Sequence, residues 1–184
     1  MILVTGFGPF ADNAVNPSQT VAHNLAALFP EEVAARILPV TFDGAPAQLR
    51  QALKQLRPRA VLSLGLDASA AELHVERVAI NLADARVPDN DGAQPRDLPL
   101  APDGPAAYFA TLPTRRLADA IAAVTPARLS YSAGTYVCNA TLYAALHAAP
   151  AGTRCGFVHL PPPTVVPVET ATAALARALE VTAL

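Results

Sequence analysis

A cysteine, a histidine and a glutamate in three separated stretches carry the chemistry of this 184-residue sequence. Cys138 lies in Gly134-Thr135-Tyr136-Val137-Cys138-Asn139-Ala140, where a helical pattern opens after a strand-like run. A thiol there meets free backbone N–H groups and the positive end of the helix dipole, both of which favour thiolate, the nucleophilic form. Glu76, in His74-Val75-Glu76-Arg77-Val78-Ala79-Ile80-Asn81, and His159, in Phe157-Val158-His159-Leu160-Pro161, sit on apolar runs that read as buried strands or strand ends. An ionisable group is costly there unless it has a partner, and a Cys-His-Glu triad supplies the partners. The same residue types also fit a helix-capping Cys, a satisfied core His and a solvated Glu, and spacing alone leaves both readings open.

Other chemistries find less support. Gly6-Phe7-Gly8-Pro9-Phe10 follows a strand but lacks the third glycine and the later acidic residue of a dinucleotide fingerprint. His23, His74 and His147 are not clustered with Cys or carboxylates at metal-ligand spacing, so no metal and no cofactor is expected. His74 and Glu76 alternate on one strand face, which keeps a metal-dependent hydrolase as a lesser alternative.

The elements that must position these residues alternate between strand and helix. Strand-like runs cover Ile2 to Gly6, Ala34 to Thr41, Ala60 to Gly65, the Glu76 segment, Arg128 to Ser132 and Thr153 to Leu160. Helical spacing appears in Val21, Leu25 and Leu28 after Pro17, in Leu49, Leu53 and Leu56 before Pro58, and over Thr114 to Val124, Cys138 to Ala148 and Val168 to Leu179. The Pro-, Asp- and Gly-rich stretch from Asp84 to Pro113 reads as a long loop, which in a compact domain is usually functional. The pattern predicts an α/β fold of three layers, α/β/α, with an open, largely parallel twisted sheet and helices on both faces. Active sites in such folds lie at the carboxyl ends of strands, where Gly6, Gly65, the Cys138 loop and His159 would converge.

Composition bounds the partners. A net charge of −2 leaves no electrostatic footprint for nucleic acid or for an anionic membrane surface. No apolar run approaches the roughly 20 residues that span a bilayer. The start Met1-Ile2-Leu3-Val4 has no basic leader and reads as a strand, so secretion is not expected. Cys138 and Cys155 make no disulfide framework and are expected reduced in a cytoplasmic protein. No repeat or linker divides the chain, so residues 1–184 are expected to form one domain with an ample core.

Four segments in order give the chain a resemblance to the pyroglutamyl peptidase I family of cysteine peptidases. They are Val4-Thr5-Gly6-Phe7-Gly8-Pro9-Phe10 with Asn16-Pro17-Ser18; Glu76 to Asn81 continuing into Asp84 to Gly92; Gly104 to Pro113; and the Cys138 stretch with Phe157-Val158-His159 after it. The resemblance implies removal of an N-terminal pyroglutamate from peptides through a thioester acyl-enzyme. Cys138 would be the nucleophile, His159 the acid and base, and Glu76 the third member of the triad. It implies that Phe7 and Phe10 sandwich the lactam ring, that Arg86 lines the same region, and that Tyr136 and Val137 close the pocket wall. Core packing fits any of these apolar residues as well, and Val137 best of all, while Arg86 could equally pair with Asp84 or Asp89. Family members often form tetramers, and an alanine-rich, weakly charged chain is compatible with that.

The sequence departs from the family pattern twice. Leu66, in Gly65-Leu66-Asp67-Ala68-Ser69, stands where the family usually has glutamine, which matters little if the lactam is held by backbone groups and lowers affinity if a side-chain amide is needed. The link from Cys138 to His159 is short and runs into Leu160-Pro161-Pro162-Pro163, which leaves the loop beyond the histidine undefined. The Leu66 change favours the main alternative, a non-catalytic domain of the same architecture that binds a small amide.

Overall fold

In the computed structural model, residues 1–10 and 15–182 are described. Six strands make the central sheet: β1 (Ile2–Phe7), β2 (Val33–Leu38), β3 (Ala60–Leu66), β4 (Leu73–Glu76), β7 (Ala127–Ser130) and β8 (Arg154–Leu160), in the order β2-β1-β3-β8-β4-β7. Strands β2, β1, β3 and β8 run parallel. Strand β4 turns antiparallel to β8, and β7 follows β4 in parallel. The remaining two strands, β5 (Val78–Ile80) and β6 (Ala107–Phe109), pair antiparallel in a separate ribbon.

The near-continuous apolar runs of β1, β3 and β8 are buried on both faces, as helices on both sides require. Val4, Leu62, Leu64 and Val158 pack with α1 (Pro17–Leu28), α3 (Thr114–Ala122) and α5 (Val168–Thr182). Leu3, Phe7, Val61, Cys155 and Phe157 point the other way, against α2 (Gly44–Leu56) and α4 (Val137–Ala148). The expected three layers are therefore present, in a mostly parallel sheet.

The Glu76 segment was expected to be one strand and is two. The backbone N–H of Arg77 donates to Ser130 O of β7 at 2.7 Å, while the Arg77 carbonyl accepts from Ala110 N at 2.9 Å and its guanidinium sits 4.4 Å from the Phe109 ring centroid. The chain thus leaves the main sheet at Arg77 and pairs with β6, a strand inside the stretch read as loop. Beyond His159, Pro161 to Val166 form a turn in which Val165 N and Val166 N donate to Pro162 O.

Candidate active site

Cys138 is the second residue of α4. The helix starts after Tyr136, whose extended backbone forms the N-cap without a side-chain hydrogen bond, and its first turn carries no acidic residue. Its leading amides and its dipole are thereby left to act on whatever faces Cys138. Gly65, at the end of β3, makes room for the thiol: a Cβ at Gly65 would lie 3.0 Å from Cys138 Sγ and 2.7 Å from the Phe157 ring. Asn139, fully buried, clips the same turn to the ribbon. Its Oδ1 accepts from Ile80 N at 2.9 Å, and its Nδ2 donates to Ile80 O at 2.9 Å and Leu82 O at 3.0 Å.

His159 arrives from β8 and Glu76 from β4. In the antiparallel register Glu76 lies opposite Phe157 and His74 opposite His159, so all four side chains share the face on which α4 begins. Glu76, 1% exposed, meets His159 Nδ1 with its Oε1 at 2.8 Å. Its Oε2 is buried with no hydrogen-bond partner among the described residues. Gly65 lies opposite His159 in the ladder, which sets the imidazole beside the Cys138 sulfur. Burial by itself would lower the imidazole pKa, but the Cys138 sulfur and the Glu76 carboxylate outweigh it and hold the pKa up, at about 10. The arrangement keeps a protonated imidazole against the sulfur and a carboxylate behind the ring. Among the described residues no group of three or more His, Cys, Asp and Glu is placed to hold a metal.

A cleft of about 570 Å³ opens over these groups, with Phe10, Leu66, Arg86, Tyr136, Cys138 and His159 on its walls. Tyr136 packs against Phe10 and Phe42, with ring centroids 5.5 and 5.2 Å apart, and donates its hydroxyl to Pro88 O at 2.9 Å. Burial, with Asp89 and Cys138 nearby, raises the Tyr136 pKa to about 12, so the phenol keeps its proton. Arg86 is exposed and paired with neither carboxylate considered for it. Asp84 faces Arg96 at 3.7 Å, and Asp89 accepts the backbone amides of Phe42, Asp91 and Ala93.

Phe7 and Val137 are placed differently from the rest. Phe7 closes β1 instead of lying on the following loop, and it is buried among α2 and α4 side chains, 6.4 Å from the Phe157 ring. Val137 is fully buried in the same cluster. Neither lines the cleft. The end of β1 is held by the Asn16-Pro17-Ser18 segment: Phe7 N donates to Ser18 Oγ at 2.9 Å, and a Cβ at Gly6 would collide with Ser18 O. Asn139 and Phe42 were missed by the sequence reading. A buried asparagine in a helix's first turn has no periodic signal, and Phe42 lies in a short turn far from the cysteine in sequence.

A sequence model of the family described as pyroglutamyl peptidase matches residues 1–184. The chain belongs to the pyroglutamyl peptidase family. A pyrrolidone-carboxylate peptidase of Gloeobacter violaceus is 48% identical over 165 residues, covering 87% of this chain and 80% of that protein. One from Escherichia fergusonii is 45% identical over 165 residues, covering 87% and 77%. Among solved structures, pyroglutamyl peptidase I of Bacillus amyloliquefaciens superposes with a TM-score of 0.90 at 35% identity, covering 100% of this chain and 97% of the other. A mutant pyrrolidone carboxyl peptidase of Pyrococcus furiosus gives 0.91 at 32%, covering 99% and 97%. The pyroglutamyl peptidase fold therefore extends through the five helices of the described residues and the six-stranded sheet, and the chain is a hydrolase of the cysteine-peptidase class.

Proposed function

We propose that this pyroglutamyl peptidase family member removes N-terminal pyroglutamate from peptides, with Cys138 as nucleophile, His159 as acid and base, and Glu76 as the residue that orients and charges the imidazole. One observation carries the reading: His159 is hydrogen-bonded to Glu76 through Nδ1 at 2.8 Å and stands beside the Cys138 sulfur, which lies at a helix N-terminus. The lactam would lie against Phe10, Tyr136 and Leu66, three apolar walls suited to a flat, uncharged ring. Cys138 Sγ attacks the carbonyl carbon, and the developing oxyanion is met by the Cys138 backbone N–H at the start of α4. As the C–N bond breaks, His159 gives its proton to the leaving amine, which leaves a thioester. Water then attacks the thioester carbon with His159 accepting one of its protons, and the C–S bond breaks to release pyroglutamate, whose acid proton goes to solvent, and to restore the Cys138 thiolate beside protonated His159. Glu76 holds the ring with Nδ1 occupied, so that the other nitrogen faces the reaction.

The test is hydrolysis of pyroglutamyl-coumarin amide without added metal, beside the prolyl and glutamyl equivalents and a Cys138→Ala variant. Cleavage of the pyroglutamyl compound alone, lost in the variant, is the expected result. Equal turnover of the prolyl compound overturns the lactam pocket. We further read residues 1–184 as one domain acting in the cytoplasm, in keeping with two free thiols. We read its assembly as a homotetramer, in keeping with the exposed Leu28, Phe109 and Val165. Sedimentation showing only monomer at micromolar concentration refutes the tetramer.

A further inference from the structure

Beside the cleft lies a second groove of about 600 Å³, floored by β4 and β7 and continuous with the cleft through Asp67, Ser69 and Ser132, which line both. It exists because α4 begins over β3 and β8, leaving this face of β4 and β7 bare. The ladder sets four residues in a row across the sheet: Arg128 opposite His74, His74 opposite His159, and His159 opposite Gly65. The groove therefore begins at His74, the ladder neighbour of His159 on the side away from Gly65. A leaving amine must meet the His159 nitrogen that Glu76 does not occupy, and the aromatic wall of Phe10 and Tyr136 lines the cleft but not this groove.

The charges along this exit are unequal. Arg128 is neutralised by Glu72, Nε to Oε1 at 3.1 Å. Among the described residues Asp67 has no Lys or Arg partner. Its Oδ1 accepts from Ser69 N at 2.9 Å and from Ser69 Oγ at 2.7 Å, while its Oδ2 faces His74 Nδ1 at 3.7 Å with the side chain 31% exposed. Burial acts to raise the Asp67 pKa, but the two Ser69 hydrogen bonds and the nearby imidazoles outweigh it, so the carboxylate stays charged. Burial and the Arg128 guanidinium hold the His74 pKa below its ordinary value despite Asp67, so His74 is neutral at neutral pH. Arg86, exposed and also on the cleft wall, stands without a carboxylate partner among Asp84 and Asp89, which are otherwise engaged. The cleft thus has an anionic exit past Asp67 and a cationic lip at Arg86.

Resting on the pyroglutamyl-peptidase reading, we propose that the β4/β7 groove takes the peptide after the scissile bond, and that Asp67 makes it favour a basic residue directly following pyroglutamate over an acidic one. Asp67 is a specificity residue here, acting on the side chain that the groove accepts.

The experiment compares kcat/KM for pyroglutamyl-Lys-Ala-Ala and pyroglutamyl-Glu-Ala-Ala, following the released peptide by chromatography. At low salt the lysyl peptide should be favoured about threefold to fivefold, the range of a partly exposed charge interaction. The ratio should fall toward unity at high ionic strength. Asp67→Asn should bring it close to one, and Asp67→Glu should retain it. The salt titration needs only the unsubstituted protein, so a poorly folded variant does not remove the test. Equal rates at low salt overturn the proposal, as does cleavage of the coumarin amide with neither peptide cut. A preference for the glutamyl peptide overturns it too and routes the chain past Arg86. If neither the peptides nor the coumarin amide is cut, the peptidase reading itself fails and this inference with it.

Discussion

A buried carboxylate with one oxygen on an imidazole and the other unpartnered is costly unless its charge is used, and among the described residues the side-chain partner of Glu76 is His159. That dependence makes the three site residues fail differently. Cys138→Ser keeps the shape but loses the ionisable thiol, and His159→Ala loses both proton transfers, so each should cost about four to six orders of magnitude in kcat/KM. Glu76→Gln keeps a group able to hydrogen-bond Nδ1 and should be about two orders of magnitude less damaging. The Cys138→Ser, His159→Ala double variant should be little worse than either single one, because nucleophile and base act as a unit; additive losses would mean they do not. The pH profile gives a second reading of the same contact. His159 must be protonated when the leaving amine departs, and its pKa is raised to about 10, so activity should fall as pH rises toward about 10. Removing the Glu76 charge removes one of the two influences that hold the pKa up. In Glu76→Gln the alkaline limb of kcat should therefore move to lower pH, and an unmoved limb would show that Glu76 does not set it.

At the scale of elements, the site depends on α4 starting where it does, and Asn139 holds it there. Asn139→Ala removes three hydrogen bonds and leaves Ile80 N, Ile80 O and Leu82 O without that partner, a loss of about 3 kcal/mol by chemical denaturation. Asn139→Asp keeps the acceptor for Ile80 N but sets a carboxylate against two carbonyls, so it should not rescue stability. Recovery in the aspartate variant would mean that the clip works through Ile80 N alone. This clip was not legible in the sequence, whereas the alternation of strands and helices was, because apolar periodicity is local and the asparagine's partners lie nearly sixty residues away. The same limit explains the ribbon. Val78–Ile80 and Ala107–Phe109 find each other across the Asp84 to Pro113 stretch, and a run of period two does not say where a chain leaves one sheet for another. Nor does it carry direction, so the antiparallel turn of β4 could not be read. Phe7 differs in kind. Its place beside Gly and Pro suggested a loop, yet it shares parity with Leu3, and continuing that alternation by one step puts it on the α2/α4 face where the structure has it.

For the whole molecule, the two cysteines sample opposite extremes of the same fold. Cys138 lies at the cleft, partly exposed, where the helix start meets the carboxyl ends of β3 and β8. Cys155 is fully buried: Val61 is its neighbour in the ladder, Thr111 Oγ accepts its backbone N–H at 2.7 Å, and Ala145 O of α4 lies 3.7 Å from its sulfur. Burial raises the Cys155 pKa to about 12, so the thiolate is suppressed as well as enclosed. No local opening exposes it without separating α4 from the sheet and breaking the β3–β8 ladder, and that amounts to unfolding the molecule. Alkylation with iodoacetamide at about pH 8 should therefore label one thiol per native chain, located by mass spectrometry to the Cys138 peptide, and two in strong guanidinium chloride. Across a urea titration, Cys155 labelling should rise together with the loss of far-ultraviolet circular dichroism. If Cys155 is labelled well before that transition, α4 separates from the sheet as an independent unit. The helix that presents the nucleophile would then be held by the ribbon clip and not by the core.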